Sequence, residues 1–407
     1  MNVERLSLIN LTRPEIRANP YPFYAELQRE EPVHWDEPRK SWVITRYADV
    51  TAVLRDRRFS NARGLEAVFA RLPEEARVQA SPIQRFFSSM MHHTDPPYHT
   101  RLRGLVSKAF TPRVVEQMRP LVQRVTDDLL DAAANKEKVD VILDFAYPLP
   151  LTVVAHLLGV QAERHDQLKK WSENVVAAVG MPRHSSEVIQ LAVESIAELT
   201  AYIQPMITEL RERPNDGLMS GMVAAADQGE HLSSEELVSS TLLLLIAGHE
   251  TTTNLIANGV LLLLQHPDQL EKLRKDPSLV ENAADEILRY DSSVQMVNRV
   301  AMEDIEIGGK QIGRGQMVTL VLGAANRDPD QFKDPDRFDV SRPEIRYTSL
   351  GMGMHYCLGA PLVKLEVPIA LGTLLRRFPS VRLASDDVAW RETPSYRGPK
   401  ALHVHLR

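Results

Sequence analysis

A single cysteine, Cys357, lies inside the stretch Ser349–Glu366, SLGMGMHYCLGAPLVKLE, and no other segment limits the possible folds as much. Gly351, Gly353 and Gly359 bracket it, and His355 stands two residues before it. Glycines at this density allow positive φ and a close approach of the backbone to something bulky. After Gly359 the pattern becomes Ala360-Pro361-Leu362-Val363-Lys364-Leu365-Glu366, with proline suited to a first helical turn and leucines at helical spacing. The spacing therefore predicts a glycine-rich loop that ends at Cys357, just ahead of a helix N-terminus. The helix dipole and its unsatisfied N–H groups favour an anionic thiolate there. A thiolate in such a loop is a good ligand for haem iron. The competing reading is that a lone cysteine in a large chain serves as a small buried hydrophobe.

The remaining chain can support a large core, with 407 residues of which 43% are hydrophobic. One cysteine excludes a disulfide framework and fits a reducing compartment. The formal charge of −6 is small for this length, and neither a basic stripe nor an acidic run points to nucleic acid or a disordered tail. The N-terminal stretch mixes charges with apolar residues, and the longest apolar runs, such as Leu242–Ala247, are far too short to span a bilayer. A cytoplasmic protein with no membrane and no nucleic-acid partner is expected.

Ser233-Ser234-Glu235-Glu236 signals the start of a long helix that should run to about Gln265, where His266-Pro267 stops it. Leu242–Ala247 is apolar all round, which predicts burial. Then come Gly248, His249, Glu250 and three threonines from Thr251. An acid and hydroxyls within an apolar helix are costly unless used. The Thr251 hydroxyl can bond back to the Ala247 carbonyl and widen the turn, leaving room for a small molecule such as O2. The plainer alternative has the threonines back-bonding and Glu250 paired with a cation. His249-Glu250 lacks the second histidine of a zinc HExxH helix.

Elsewhere, Asp95-Pro96-Pro97 reads as a helix start with Asp95 as cap, which places His99 and Arg103 four apart on one face and leaves Arg101 solvated. His92 and His93 read as structural. The residues from Asn61 to Met90 show no clear period, as lids and pocket walls often do. Short strands are expected at Val33–Trp35, Trp42–Thr45, Val294–Val300, Ile305–Ile312 and Met317–Leu322. Helices are expected at Val114–Ala134, Phe145–Leu158, Glu163–Val179 and Glu187–Arg211, the last two parted by Gly180-Met181-Pro182. Glu286 and Arg289 are three apart in a helix over Glu281–Tyr290, and Pro335-Asp336-Arg337-Phe338 follows in a turn-rich stretch.

These residues carry a family resemblance. The cysteine stretch is similar to the haem-binding signature F-G-x-G-x-H-x-C-x-G of cytochromes P450, with Leu350 where the family usually has phenylalanine. Ala247-Gly248-His249-Glu250-Thr251 matches A-G-x-[DE]-T, Glu286–Arg289 matches E-x-x-R, and Pro335–Phe338 matches P-[ED]-R-F. The motifs stand in the family's order across nearly the whole chain. The resemblance implies one domain over residues 1–407 with the P450 fold: a triangular, mostly α domain with a small β-rich part.

It further implies haem b with Cys357 as axial thiolate, lined by Leu350, Gly351, Gly359, Ala247 and Gly248. His99, Arg103, Arg299 and His355 would bind the propionates. Thr251 and Glu250 would manage protons on the O2 side, while Glu286, Arg289 and Arg337 would form a buried structural network. Phe86, Phe87, Leu243, Leu244, Ala247, Val294, Met296 and Val297 take the positions of a substrate pocket wall. The implied activity is O2-dependent monooxygenation, hydroxylation or epoxidation of an apolar lipid, terpenoid, steroid or polyketide-like molecule. Electrons would come from a separate ferredoxin or flavodoxin with its NAD(P)H reductase, with Lys364 a docking contact. A peroxide-driven enzyme and a non-catalytic haem sensor are the alternatives.

Overall fold

The structure, a computed structural model, describes residues 5–70, 72–161, 164–180, 186–215, 217–227 and 233–407. The chain divides into two compact units. The first is built from Met1–Phe59, Arg119–Pro150 and Glu250–Arg407, the second from Ser60–Met118 and Leu151–His249. Neither is a contiguous stretch of chain.

The first unit contains the β structure. Strands Val33–Asp36 and Ser41–Ile44 pair antiparallel, with Trp35 opposite Trp42. Strand Met317–Val321 runs parallel to Ser41–Ile44, and Met296–Ala301 pairs antiparallel with it. Every residue of Met317–Val321 is buried, as an inner strand with both faces covered requires. Ile305–Ile307 and Lys310–Ile312 form a separate hairpin rather than one strand. The period of two sends neighbouring side chains of Met296–Ala301 to opposite faces. Val297 packs on the cluster around Ile44 and Leu320, whereas Met296 belongs to the cluster of Tyr24, Leu27, Val43 and Val321. Met296 is therefore packed in the core of this unit.

The long helix spans Ser234–Gln265. Its start is a reciprocal capping box: the Glu236 amide donates to Ser233 Oγ at 3.1 Å, and the Ser233 amide donates to Glu236 Oε2 at 2.7 Å. Within the first unit it packs closely on two neighbours. A Cβ on Gly259 would stand 3.0 Å from Ile287 of helix Val280–Tyr290 and 3.1 Å from Leu371 of helix Ala360–Arg377. These contacts set the long helix against the helix that follows the cysteine.

In the second unit the stretch after Asn61 is helical in short pieces, Ala62–Ala70, Glu74–Gln79 and Ser81–Ser88. Each is too short for the period to show in sequence. His165–Gly180 and Ser186–Glu212 form the expected helix pair, while Met181 and Pro182 lie outside the described residues. Two expectations are corrected here. Asp95 does not cap helix Tyr98–Ala109; its carboxylate accepts from the Ser60 hydroxyl and the Asn61 amide, tying down the preceding turn. Arg101 is not solvated but ion-paired with Glu236, whose side chain is almost fully buried.

Candidate active site

The cysteine loop is fixed from both ends. Gly351 N–H donates to Thr348 O, and Cys357 N–H returns to Leu350 O, both at 2.8 Å. Gly353–His355 makes a single 3-10 turn between them. Gly351 and Gly353 sit at φ +70° and +67°, the left-handed region that glycine adopts without cost. A Cβ on Gly353 would meet the Leu54 carbonyl at 2.9 Å. The helix Ala360–Arg377 begins three residues after the half-buried Cys357, with Pro361 in its first turn. The loop thus presents the sulfur at a helix N-terminus from a cradle that side chains would fill. That fits a thiolate holding a large flat group.

The loop hangs from a buried ionic cluster. Glu286 and Arg289 are fully buried and joined by two bonds, Nε to Oε2 at 2.7 Å and Nη2 to Oε1 at 2.8 Å. Arg289 also donates to the carbonyls of Asn326, Pro335 and Arg337, so the whole guanidinium fork is used. Asn326 in turn accepts from the Thr348 amide at 2.7 Å and donates to Ser349 Oγ at 2.6 Å. The ion pair therefore reaches the first residues of the cysteine loop through one asparagine.

The third member is Arg342, not Arg337. Arg342 Nε lies 3.2 Å from Glu286 Oε2, while Arg337 is exposed and contributes only its backbone carbonyl. The turn over Asp334–Arg337 aims the Arg337 side chain outward, and the chain re-enters at Asp339, whose amide donates to Glu286.

On the long helix, Leu242, Leu243 and Leu245 are buried, but Leu244, Gly248 and Thr251 are half-buried and Ala247 is exposed. These four stand at i, i+3, i+4 and i+7, one face of a helix. The helix is therefore not buried all round; one narrow, mostly apolar stripe is open beside the acid. Gly248 answers a packing demand, since a Cβ there would stand 3.2 Å from Val154. His249 is buried, and its Nδ1 is bonded to the Leu245 carbonyl at 2.7 Å. Glu250 is ion-paired with Arg391 at 2.6 Å. Arg391 was invisible to sequence reasoning because it lies 141 positions along the chain.

Arg299 is buried on strand Met296–Ala301, with Nη1 on the Asn298 carbonyl at 2.8 Å, and His355 closes the turn before the cysteine. In the second unit His99 is buried in the first turn of helix Tyr98–Ala109, four residues before the half-buried Arg103. Burial, and next the Arg103 charge, hold the His99 imidazole below its usual pKa. The neutral ring still keeps one N–H to donate. Phe86 and Phe87 are buried and meet edge to face at 6.3 Å, with Phe87 also against His93. Val294 and Val297 are half-buried in the first unit.

Glu366, on the inner side of the cysteine-loop helix, is fully buried, and neither carboxylate oxygen has a hydrogen-bond partner among the described residues. Burial pushes its carboxyl up from 4.5 to about 8. The folded protein therefore holds a proton that the unfolded chain releases above about 4.5, so stability falls as pH rises from there to about 8 and then levels off. Glu366→Gln should flatten that slope and raise stability at pH 8 by about 2–4 kcal/mol. Urea titrations of both proteins at pH 5 and pH 8 measure it; parallel curves would refute it.

Comparison with known proteins agrees with this geometry. The family model described as Cytochrome P450 matches residues 7–390. Cytochrome P450 107B1 of Saccharopolyspora erythraea is 43% identical over 94% of this chain and 93% of its own length. The 6-deoxyerythronolide B hydroxylase of the same organism is 40% identical over 95% of this chain and 96% of its own. The crystal structure of P450BioI with a hexadec-9Z-enoic acid-ligated acyl carrier protein superposes with a TM-score of 0.88 at 39% identity, covering 97% of this chain and 100% of that one. With its cysteine cradle, its acid–threonine helix and this likeness over nearly its whole length, the chain belongs to the cytochrome P450 family and is a haem-thiolate monooxygenase.

Proposed function

We propose that this enzyme uses O2 and electrons from a separate ferredoxin or flavodoxin to hydroxylate or epoxidise an apolar, chain-like or macrocyclic substrate of the polyketide or fatty-acyl class. The observation that carries it is the open apolar stripe Leu244–Ala247–Gly248–Thr251 with Glu250 beside it. The substrate class draws support from the hydroxylase of 6-deoxyerythronolide B and from the fatty-acyl ligand in the P450BioI complex. Bound haem, held by the Cys357 thiolate, supplies the oxidising chemistry.

The chain's own residues have simpler tasks. Cys357 would hold the haem iron through its thiolate. His355, Arg299, His99 and Arg103 offer donors for propionate carboxylates. Leu350, Gly351 and Gly359 leave room for the ring's close approach, and Gly359 would carry a Cβ only 3.8 Å from Sγ. Leu244 and Ala247 in the second unit, and Val294 and Val297 in the first, are apolar side chains suited to contact with such a substrate. Glu250 takes up a proton from solvent and passes it toward the Thr251 hydroxyl.

Delivery of electrons by another protein is in keeping with the likeness to bacterial cytochromes P450. Lys364, half-exposed and 3.1 Å from Asp285, is a docking contact in this reading. Among the described residues no helix is long and apolar enough to cross a membrane, which supports a cytoplasmic enzyme. Because both units are assembled from interleaved stretches, we read residues 1–407 as one catalytic domain.

The test is a ligand screen. Free hexadec-9Z-enoic acid, its carrier-bound form and a macrolactone are added to ferric holoenzyme, followed by turnover with NADPH, ferredoxin and reductase. A spin-state change and an oxygenated product are expected. Glu250→Gln and Thr251→Ala should each lower product per NADPH by about 10- to 100-fold. Equal product from hydrogen peroxide in all variants would favour a peroxygenase; haem binding without turnover would favour a sensor.

A further inference from the structure

The C-terminal loop Ala389–Lys400 was not assigned any role by its sequence. It closes on itself through Arg391 N–H to Gly398 O at 3.1 Å and Lys400 N–H to Ala389 O at 2.7 Å. Three of its residues then meet the long helix at positions spaced by four. Arg391 pairs with Glu250. Gly398 lies so close to Asn254 that a Cβ would fall 2.3 Å from Oδ1. The Arg397 carbonyl accepts from Asn258 Nδ2 at 3.2 Å. Residues 250, 254 and 258 share one helical face, so the loop lies along the helix on the side of the acid.

The loop's far end is anchored. Arg397 Nε is 2.6 Å from Asp291, a buried pair, and its guanidinium stacks on Trp390 at 3.6 Å. The Arg397 amide donates to Ser293 O at 2.8 Å, and the Gln295 amide donates to Ser395 O at 2.9 Å. A guanidinium carried on so tethered a loop is held in place before it meets its partner.

We propose that Arg391 is a positioning residue for Glu250, and that the Ala389–Lys400 loop exists in part to hold it there. This rests on the reading of Glu250 as the proton-handling acid. The contact is single: Nη1 meets Oε1, and Oε2 takes no hydrogen bond among the described residues. Oε1 is fixed while Oε2 stays available to accept a proton from water and release it toward Thr251. The Glu250 side chain is 18% exposed, enough for water to reach it. A carboxylate free to swing would spend less time in that geometry, and misplacement alone slows a proton transfer.

The test compares Arg391→Gln, Arg391→Lys, Glu250→Gln and the control Glu392→Gln in holoenzyme. The control breaks only the exposed Lys400–Glu392 pair on the same loop. Two readouts are used. One is the Glu250 carboxylate stretch in the infrared, isolated as wild type minus Glu250→Gln, without turnover. The other is the share of consumed O2 released as hydrogen peroxide, and its solvent isotope effect, with NADPH, ferredoxin, reductase and hexadec-9Z-enoic acid as probe.

Arg391→Gln should shift the carboxylate band and raise the peroxide share by about threefold or more, with an enlarged isotope effect. Arg391→Lys should fall between it and wild type, and Glu392→Gln should match wild type. If Glu250→Gln raises peroxide while Arg391→Gln leaves both readouts at wild-type values, the positioning role is overturned and the acid's role stands. If Glu250→Gln itself changes nothing, the underlying reading fails and the proposal with it. Unchanged thermal melting across the set separates both outcomes from misfolding.

Discussion

Cys357→Ser should remove the thiolate signature from the reduced carbon monoxide spectrum and lower monooxygenase turnover by at least about 100-fold. Cys357→His should bind haem with a histidine-type spectrum and be as inactive. The reasoning is local. The loop places one sulfur at a helix N-terminus, inside a cradle closed by the Leu350 carbonyl and the left-handed glycines. Serine has the size but not the charge, because its hydroxyl stays protonated where a thiol ionises. Histidine supplies a neutral nitrogen and no electron push. Secondary structure by circular dichroism should match wild type in both variants, since the loop's backbone bonds do not use the sulfur. Retention of the thiolate-type spectrum in Cys357→Ser would remove the basis of the assignment.

The second large effect is on stability. Glu286→Gln leaves Arg289 and Arg342 without their shared carboxylate, and Arg289→Ala leaves Glu286 buried and several carbonyls without their donor. Each should cost about 3–5 kcal/mol, a large part of the stability of a typical domain. Arg342→Ala should cost less, about 1–2 kcal/mol, since its side chain is partly open to water. Arg337→Ala should stay within about 0.5 kcal/mol, because only its backbone takes part. Urea unfolding of the holoenzyme, followed by both circular dichroism and haem absorbance, measures the order. Because Asn326 links Arg289 to Thr348 and Ser349, haem should leave the Glu286 and Arg289 variants earlier than helix is lost. A larger loss in Arg337→Ala than in Arg342→Ala would contradict the network.

Several features were legible because their causes are local. The capping box at Ser233–Glu236 and the stop at His266-Pro267 fixed the long helix to within a residue. The proline after Gly359 marked the helix behind the cysteine. What misled was the assumption that a motif's third member uses its side chain: Arg337 and Arg342 are both plausible by charge, and only the turn at Asp334–Arg337 decides which one points inward. Asp95 likewise had the chemistry of a helix cap but found a nearer use at Ser60 and Asn61.

The sequence by itself determined the long helix, the helix behind the cysteine, the glycine loop and the family, because capping, left-handed glycines and helical periodicity act over a few residues. Only the tertiary structure decided the partners: Arg391 for Glu250, Asn326 between the ion pair and the cysteine loop, Arg397 for Asp291, and the burial that keeps Glu366 protonated. Charge pairing and desolvation depend on distance through space. Residues far apart in sequence acquire them only when the chain is packed.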